Sequence, residues 1–272
     1  MKIWYQSMST YRYDPVFDEY GKTLEEQCKR ALRPDTEVYV TGVPTVMPEI
    51  DRYKSIMTYH SSQMLNQMLK AEKEGYDAFV IGCSFDVGMD EGREMLSIPV
   101  VGIAHANLYM AAMLGELFTV VTCEPYIAER YRQMVTRYGL QQKFMRGPYV
   151  FPITEWELAE ALSKDPAPVA EKFKAVAQKA VADGASVIIP VPAFINQLFF
   201  KTGGLTNLDG ATVLDPVAVA VKLAEMLADL KKIGIEVSRT LQVYGSPGKE
   251  LLNKCLETYA PVFKIDYPAL KK

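Results

Sequence analysis

The sequence is poor in the residues that most often announce a chemistry. It has two histidines, His60 and His105, and four cysteines, Cys28, Cys83, Cys123 and Cys255, in 272 residues. No two cysteines form a C-x-x-C pair, so neither a zinc site nor a disulfide framework is indicated. The net charge is −3 and no Lys/Arg cluster stands out, which leaves no basic footprint for nucleic acid or acidic membranes. No uninterrupted apolar run reaches the roughly 20 residues that span a bilayer. Met1-Lys2-Ile3-Trp4-Tyr5-Gln6 enters a strand-like run without the apolar core or cleavage site of a signal peptide. A cytoplasmic protein is expected. There is no Pro/Gly/Ser-rich linker and no low-complexity segment.

What is present is the composition of a globular enzyme, with 49% apolar and 23% charged residues. The length exceeds the usual single domain, so two domains of similar size are expected. Strand and helix patterns alternate, which predicts a parallel sheet with right-handed crossovers. Strands are expected at Ile3–Tyr5, Glu37–Val43, Phe79–Ile81, Ile98–Ile103 and Phe118–Thr122, then near Tyr149–Ile153, after Gly184, and at Ala211–Leu214. Helices are expected at Lys22–Leu32, within Pro48–Glu74, and at Asp90–Leu96, Ile127–Tyr138, Glu155–Leu162, Pro166–Asp183, Val217–Lys232 and Lys249–Thr258. Gly184-Ala185-Ser186-Val187-Ile188-Ile189 repeats the pattern of Gly75-Tyr76-Asp77-Ala78-Phe79-Val80-Ile81, so the two halves read as duplicated units.

Ligands of such folds bind beyond the carboxyl ends of the strands. Cys83 occupies that position, directly after an apolar strand and before the turn Ser84-Phe85-Asp86-Val87-Gly88. Beside a helix start, unpaired N–H groups and the helix dipole favour thiolate, which makes Cys83 a base or a nucleophile. The alternative is a small buried hydrophobe. His105 stands at another strand end and is the best available second acid–base group. Gln6 and Ser7 follow the first strand, and Ser84 and Thr122 close two others. Their amide and hydroxyl groups suit a substrate carboxylate or carbonyl oxygen, and equally suit hydrogen-bonded turns. Asp86 is a candidate for orienting the turn or relaying a proton, with capping of the following helix as its structural role. His60, inside a helix, reads as structural or solvated. Phe194, Phe199 and Phe200 suggest an apolar wall or ordinary core packing.

Gly82-Cys83-Ser84-Phe85-Asp86-Val87-Gly88-Met89-Asp90-Glu91-Gly92-Arg93-Glu94 with Ile98-Pro99-Val100-Val101-Gly102-Ile103 resembles the first-cysteine region of hydantoin racemases, in the aspartate/glutamate racemase superfamily. Leu114–Thr122, Arg137–Leu140 and Leu214–Leu223 are similar to further segments found in order along such racemases. The resemblance implies two pseudo-symmetric Rossmann-like α/β domains with parallel sheets and an active site in the cleft between them. The first would hold residues 1–105 and 215–272, the second 106–214. It also implies catalysis without metal or organic cofactor, a small-molecule substrate and homo-oligomers. In two-cysteine members one thiolate removes a proton while the opposite thiol returns one.

The second cysteine of those enzymes corresponds to a stretch that reads Val191-Pro192-Ala193-Phe194 here. Proline has neither thiol nor N–H, so Pro192 cannot protonate a carbanion or donate to an oxyanion. Cys123 aligns with an oxygen-binding position rather than with the missing thiol. The expected activity is therefore that of an atypical, single-thiol isomerase or racemase, with Cys83 acting on a small carboxylate or a hydantoin-like cyclic amide. Decarboxylation, addition of Cys83 to an activated carbon in an isomerase or hydrolase, and a non-catalytic binding role are the alternatives.

Overall fold

The computed structural model describes residues 1–46, 51–240 and 245–263. Its first sheet joins β1 (Lys2–Ser7), β2 (Glu37–Thr41), β3 (Ala78–Gly82) and β4 (Val100–Gly102), all parallel, in the order β2-β1-β3-β4. Its crossovers are α1 (Asp18–Ala31), α2 (Lys54–Lys73) and α3 (Met89–Met95). Ala78 to Ile81 are fully buried, because helices cover both faces of the sheet and leave no polar side to alternate with.

From β4 the chain enters α4 (Ile103–Leu114) and begins a second sheet. This is formed by β5 (Phe118–Thr122), β6 (Tyr149–Val150), β7 (Val187–Val191), β8 (Asn207–Leu208) and β9 (Ala211–Val213), in the order β6-β5-β7-β9-β8. Its helices are α5 (Pro125–Arg137), α6 (Glu155–Ser163), α7 (Ala167–Ala182) and α8 (Phe194–Lys201). The parallel part of this sheet, β6-β5-β7-β9, repeats the 2-1-3-4 order of the first. The result is a pair of pseudo-symmetric Rossmann-like α/β units.

The chain then returns to the first sheet. In α9 (Pro216–Lys232), Val217, Ala220, Val221 and Ala224 are buried with Ile3, Tyr5, Val80 and Val101. Asp215 starts this helix by accepting the N–H groups of Val217 and Ala218 at 3.1 and 3.0 Å, with Pro216 in the first turn. From α10 (Gly248–Phe263), Leu256 packs on the other face with Trp4, Met64 and Phe79. Among the described residues no helix is long and apolar enough to cross a membrane.

Local differences from expectation have identifiable causes. The first helix begins at Asp18 rather than Lys22. Gly21 inside it is not a breaker but a contact, since a Cβ there would lie 2.0 Å from the Tyr11 ring. The antiparallel hairpin β8–β9 turns at Asp209-Gly210, whose φ values of 50° and 91° are those such turns require. The helix expected from Pro48 is described from Lys54, and positions 48–50 lie outside the described residues, as does the end of the tail beyond Phe263.

Candidate active site

The two sheets present equivalent strand ends. In the first, Ser7 of β1 lies opposite Gly82 of β3; in the second, Thr122 of β5 lies opposite Val191 of β7. One residue further along each third strand stand Cys83 and Pro192. Symmetry therefore pairs Ser7 with Thr122, and Cys83 with Pro192.

Cys83 does not adjoin a helix start as expected, because the turn Ser84–Gly88 separates it from α3. The N–H groups it meets belong to that turn, where Phe85 and Val87 hydrogen-bond its sulfur through their backbone. They do not prevail. Burial pushes the thiol up to about 12 against these two N–H groups, so the sulfur, 6% exposed, is protonated at neutral pH.

The turn is locked by Asp86. This residue adopts φ +49° and aims its carboxylate away from α3, past Gly102, to the start of α4. Oδ1 accepts the Ala104 N–H at 2.9 Å, Oδ2 accepts that of His105 at 2.7 Å, and the Tyr138 hydroxyl donates to Oδ2 at 3.2 Å. Asp86 thus caps the helix after the next strand rather than the following one, which begins at Met89 behind Gly88 with no side-chain cap. Burial raises its carboxyl to about 6 despite these donors.

Helix α5 of the second unit closes over this turn. The Tyr131 phenol, 3% exposed, hydrogen-bonds the Ser84 side chain; burial raises its proton affinity well above the ordinary value, outweighing the Ser84 bond, which lowers it. Arg130 lies over the Phe85 ring with its guanidinium carbon 4.6 Å from the centroid. Arg137 forms an ion pair with Asp90. The residues leading into α2 complete the cover: the Tyr126 hydroxyl donates to Asp51 at 2.8 Å, and Arg130 donates to the Arg52 carbonyl at 3.0 Å.

The remaining expected residues divide. Thr122 is fully buried and its hydroxyl has no hydrogen-bond partner among the described residues, the condition of a group free to meet a ligand oxygen. Ser7 bonds Ser9 at 3.0 Å and the Tyr20 hydroxyl at 3.2 Å, and the Tyr20 ring meets Phe194 edge-on at 4.9 Å, so Ser7 and Phe194 share one wall across the two units. Gln6 does not reach the site: its amide donates to the carbonyls of Ser7, Thr41 and Gly42 and accepts from the Trp4 indole, leaving nothing for a substrate. Cys123, 2% exposed, belongs to the core of the second unit. Phe199 is core, edge-on to Phe173 at 4.8 Å, whereas Phe200 is partly exposed beneath Arg30.

His105 is also set apart. Its imidazole lies between the Tyr109 and Tyr138 rings at 4.8 and 5.1 Å, and Arg93, Asp90 and Arg137 are the charged groups acting on it. Burial lowers its pKa to about 4, so it is neutral at pH 7. The backbone N–H of His105, not its ring, serves the Cys83 turn. Tyr131, Tyr138 and Arg130 are the site residues that sequence reasoning misses; Tyr131 and Tyr138 lie about two helical turns apart on one face.

A thiol just past a central strand end, in one of two pseudo-symmetric parallel α/β units, fits an enzyme scaffold of the racemase type. Residues 18–224 match the Asp/Glu/hydantoin racemase family. The hydantoin racemase of Pseudomonas sp. (strain NS671) is 30% identical over 243 residues, covering 88% of this chain and 91% of that protein. Among solved structures, the allantoin racemases of Klebsiella pneumoniae and Pseudomonas fluorescens superpose with TM-scores of 0.68 at 22% identity. These cover 91% of this chain and 94% and 97% of theirs. The chain belongs to the Asp/Glu/hydantoin racemase family and is a racemase-type enzyme.

Proposed function

We propose that this protein is a cofactor-independent isomerase that moves a proton at the ring carbon next to a carbonyl of a hydantoin-like cyclic amide, with Cys83 as its one catalytic thiol. The observation that carries the reading is the asymmetry of the two strand ends. At the first, the sulfur of Cys83 meets the N–H groups of Phe85 and Val87; at the second, Pro192 has no proton to give.

The local chemistry supports it. Cys83, protonated at neutral pH, is a proton donor as it stands; to act as the base it must first give up that proton, and the N–H groups of Phe85 and Val87 offset the charge of the thiolate when it forms. The buried hydroxyl of Thr122 suits the carbonyl oxygen on which charge develops. Tyr131, held protonated by burial beside Ser84, is an acid at the thiol turn and takes the second acid–base role in place of His105. Asp86 acts by holding the turn.

Racemic hydantoins incubated in D₂O test this directly. Wild-type protein should exchange the ring C–H for deuterium, Cys83→Ser should lose at least about 100-fold in rate, and Tyr131→Phe should lose about 10-fold or more. Exchange that survives Cys83→Ser refutes the assignment. Pro192 favours one further reading, decarboxylation with protonation from a single face. That reading requires Cys83-dependent carbon dioxide release from a malonate-type substrate to give one enantiomer.

A further inference from the structure

Resting on this reading of the site, we infer that Arg130 selects substrates whose ring substituent carries an anionic group, a hydantoin-type amide with a carboxylate side chain. Three observations converge on this residue. The first is position. Arg130 projects from α5 onto Phe85, inside the turn that carries Cys83, and touches the Arg52 carbonyl and, at 3.8 Å, the Met57 sulfur, from the chain that crosses from the first unit. It sits where the thiol turn, α5 and that crossing meet.

The second is charge. Three arginines near it have a carboxylate: Arg52 pairs with Glu124 at 3.4 Å, Arg132 with Glu129 at 2.5 Å, and Arg137 with Asp90. Arg130 pairs with none among the described residues. Two nearby acids among the described residues are committed elsewhere: Asp51 accepts from Tyr126, and Glu129 engages Arg132 and, at 3.5 Å, Gln133. The third is surroundings. The guanidinium is partly buried between two aromatic rings, with its carbon 4.6 Å from the Phe85 centroid and 5.9 Å from that of Tyr126. Rings hold a guanidinium flat and lower the local dielectric without neutralising it, and its planar fork is then preorganised for a carboxylate. A purely structural clamp on the Arg52 carbonyl uses little of that donor capacity.

The test is calorimetric titration of the purified protein with racemic hydantoin-5-acetate and with its neutral amide, hydantoin-5-acetamide, at pH 7.5. Wild type should bind the carboxylate about 10- to 100-fold more tightly, the range of a charge-assisted hydrogen bond. Arg130→Met should bring the ratio to within about twofold, and Arg130→Lys should retain part of the preference, which guards against a folding defect in the first variant. If Arg130 only clamps the crossing chain, Arg130→Met weakens both ligands equally and leaves the ratio, which overturns the inference. So does a wild type that binds the amide as well as the carboxylate, or that binds neither. Deuterium exchange on an uncharged hydantoin separates this from the activity itself. Exchange without charge preference defeats only the role of Arg130; charge preference without exchange defeats only the proposed reaction.

Discussion

Gly102→Ala should damage this protein far more than a methyl group at a strand end ordinarily does. The backbone at Gly102 has φ −83° and ψ 135°, which any residue adopts, so no conformational penalty enters. The cost is contact. A Cβ at 102 would lie 2.3 Å from the Asp86 carboxyl carbon, 2.4 Å from Oδ1 and 2.8 Å from its Cβ. The carboxylate must leave, and with it go the bonds to the N–H groups of Ala104 and His105 and to Tyr138. Hydrogen bonds to a charged group contribute about 1.5–3 kcal/mol each. Two strong ones and one long one, offset by rehydration of the freed carboxylate, give a net loss of about 2–4 kcal/mol.

Urea denaturation of four proteins decides the matter: wild type, Gly102→Ala, Asp86→Gly and the double variant. Glycine suits the positive φ at 86 and removes all three clashing atoms, so Gly102→Ala on that background should cost less than about 1 kcal/mol. The coupling energy should then be about 2 kcal/mol or more. Additivity within about 0.5 kcal/mol would mean that Asp86 does not brace the turn, and the account of how the Cys83 loop is held would fail.

Cysteine labelling with iodoacetamide at pH 8, mapped by mass spectrometry, should modify exposed Cys255 first and Cys83 at least about 100-fold more slowly, because burial pushes the Cys83 thiol up to about 12; comparable rates would refute that. His60 is buried and its pKa is lowered to about 4, so the folded state resists a proton that the unfolded chain accepts near 6.5. The stability from keeping it neutral is present above pH 6.5 and is lost as pH falls towards 4. His60→Gln should therefore shrink the loss between pH 7 and pH 5 by about 1–2 kcal/mol, as read from urea midpoints. Gln27 donates to Asn196 at 2.6 Å and to Asp215 at 2.7 Å, joining α1 of the first unit to α8 of the second and to the cap of α9. Gln27→Leu leaves a buried and a half-buried acceptor short of a donor and should cost about 2–4 kcal/mol by the same measurement; a loss under 1 kcal/mol would show that water replaces the amide.

Phe118–Thr122 is legible as a strand because a buried parallel strand is apolar throughout, and Cys83 because a thiol between such a strand and a Gly/Asp-rich turn has few places to be. What sequence reading misses is set by groups distant along the chain. Asp86 followed by a helix signals a local cap, yet a positive φ turns the carboxylate to α4 instead. Gly21 lies inside the first helix, where the Tyr11 ring fills the space its Cβ would occupy. Asp209-Gly210 was a usable hairpin signal that a search for parallel strands passes over. Tyr131 and Arg130 look like the polar and apolar faces of an ordinary amphipathic helix, and only the docking of α5 on the other unit's turn gives them a role.

The same docking bears on how a symmetric fold would carry the single-thiol chemistry proposed for it. The strand end at 192 has a structural demand, to finish β7 and start α8, which proline meets. A proton donor there is a separate, chemical demand, and it can lapse without disturbing the sheet. The residues brought to Cys83 from the second unit therefore come from the helix after β5, not from the strand that mirrors its own. Tyr131 reaches Ser84, Arg130 covers Phe85, and Tyr138 reaches Asp86. If the thiol acts alone, substrate preference follows this helix. Exchanging side chains on the exposed turns of α5 should then leave specificity intact, while changes at 130 and 131 redirect it.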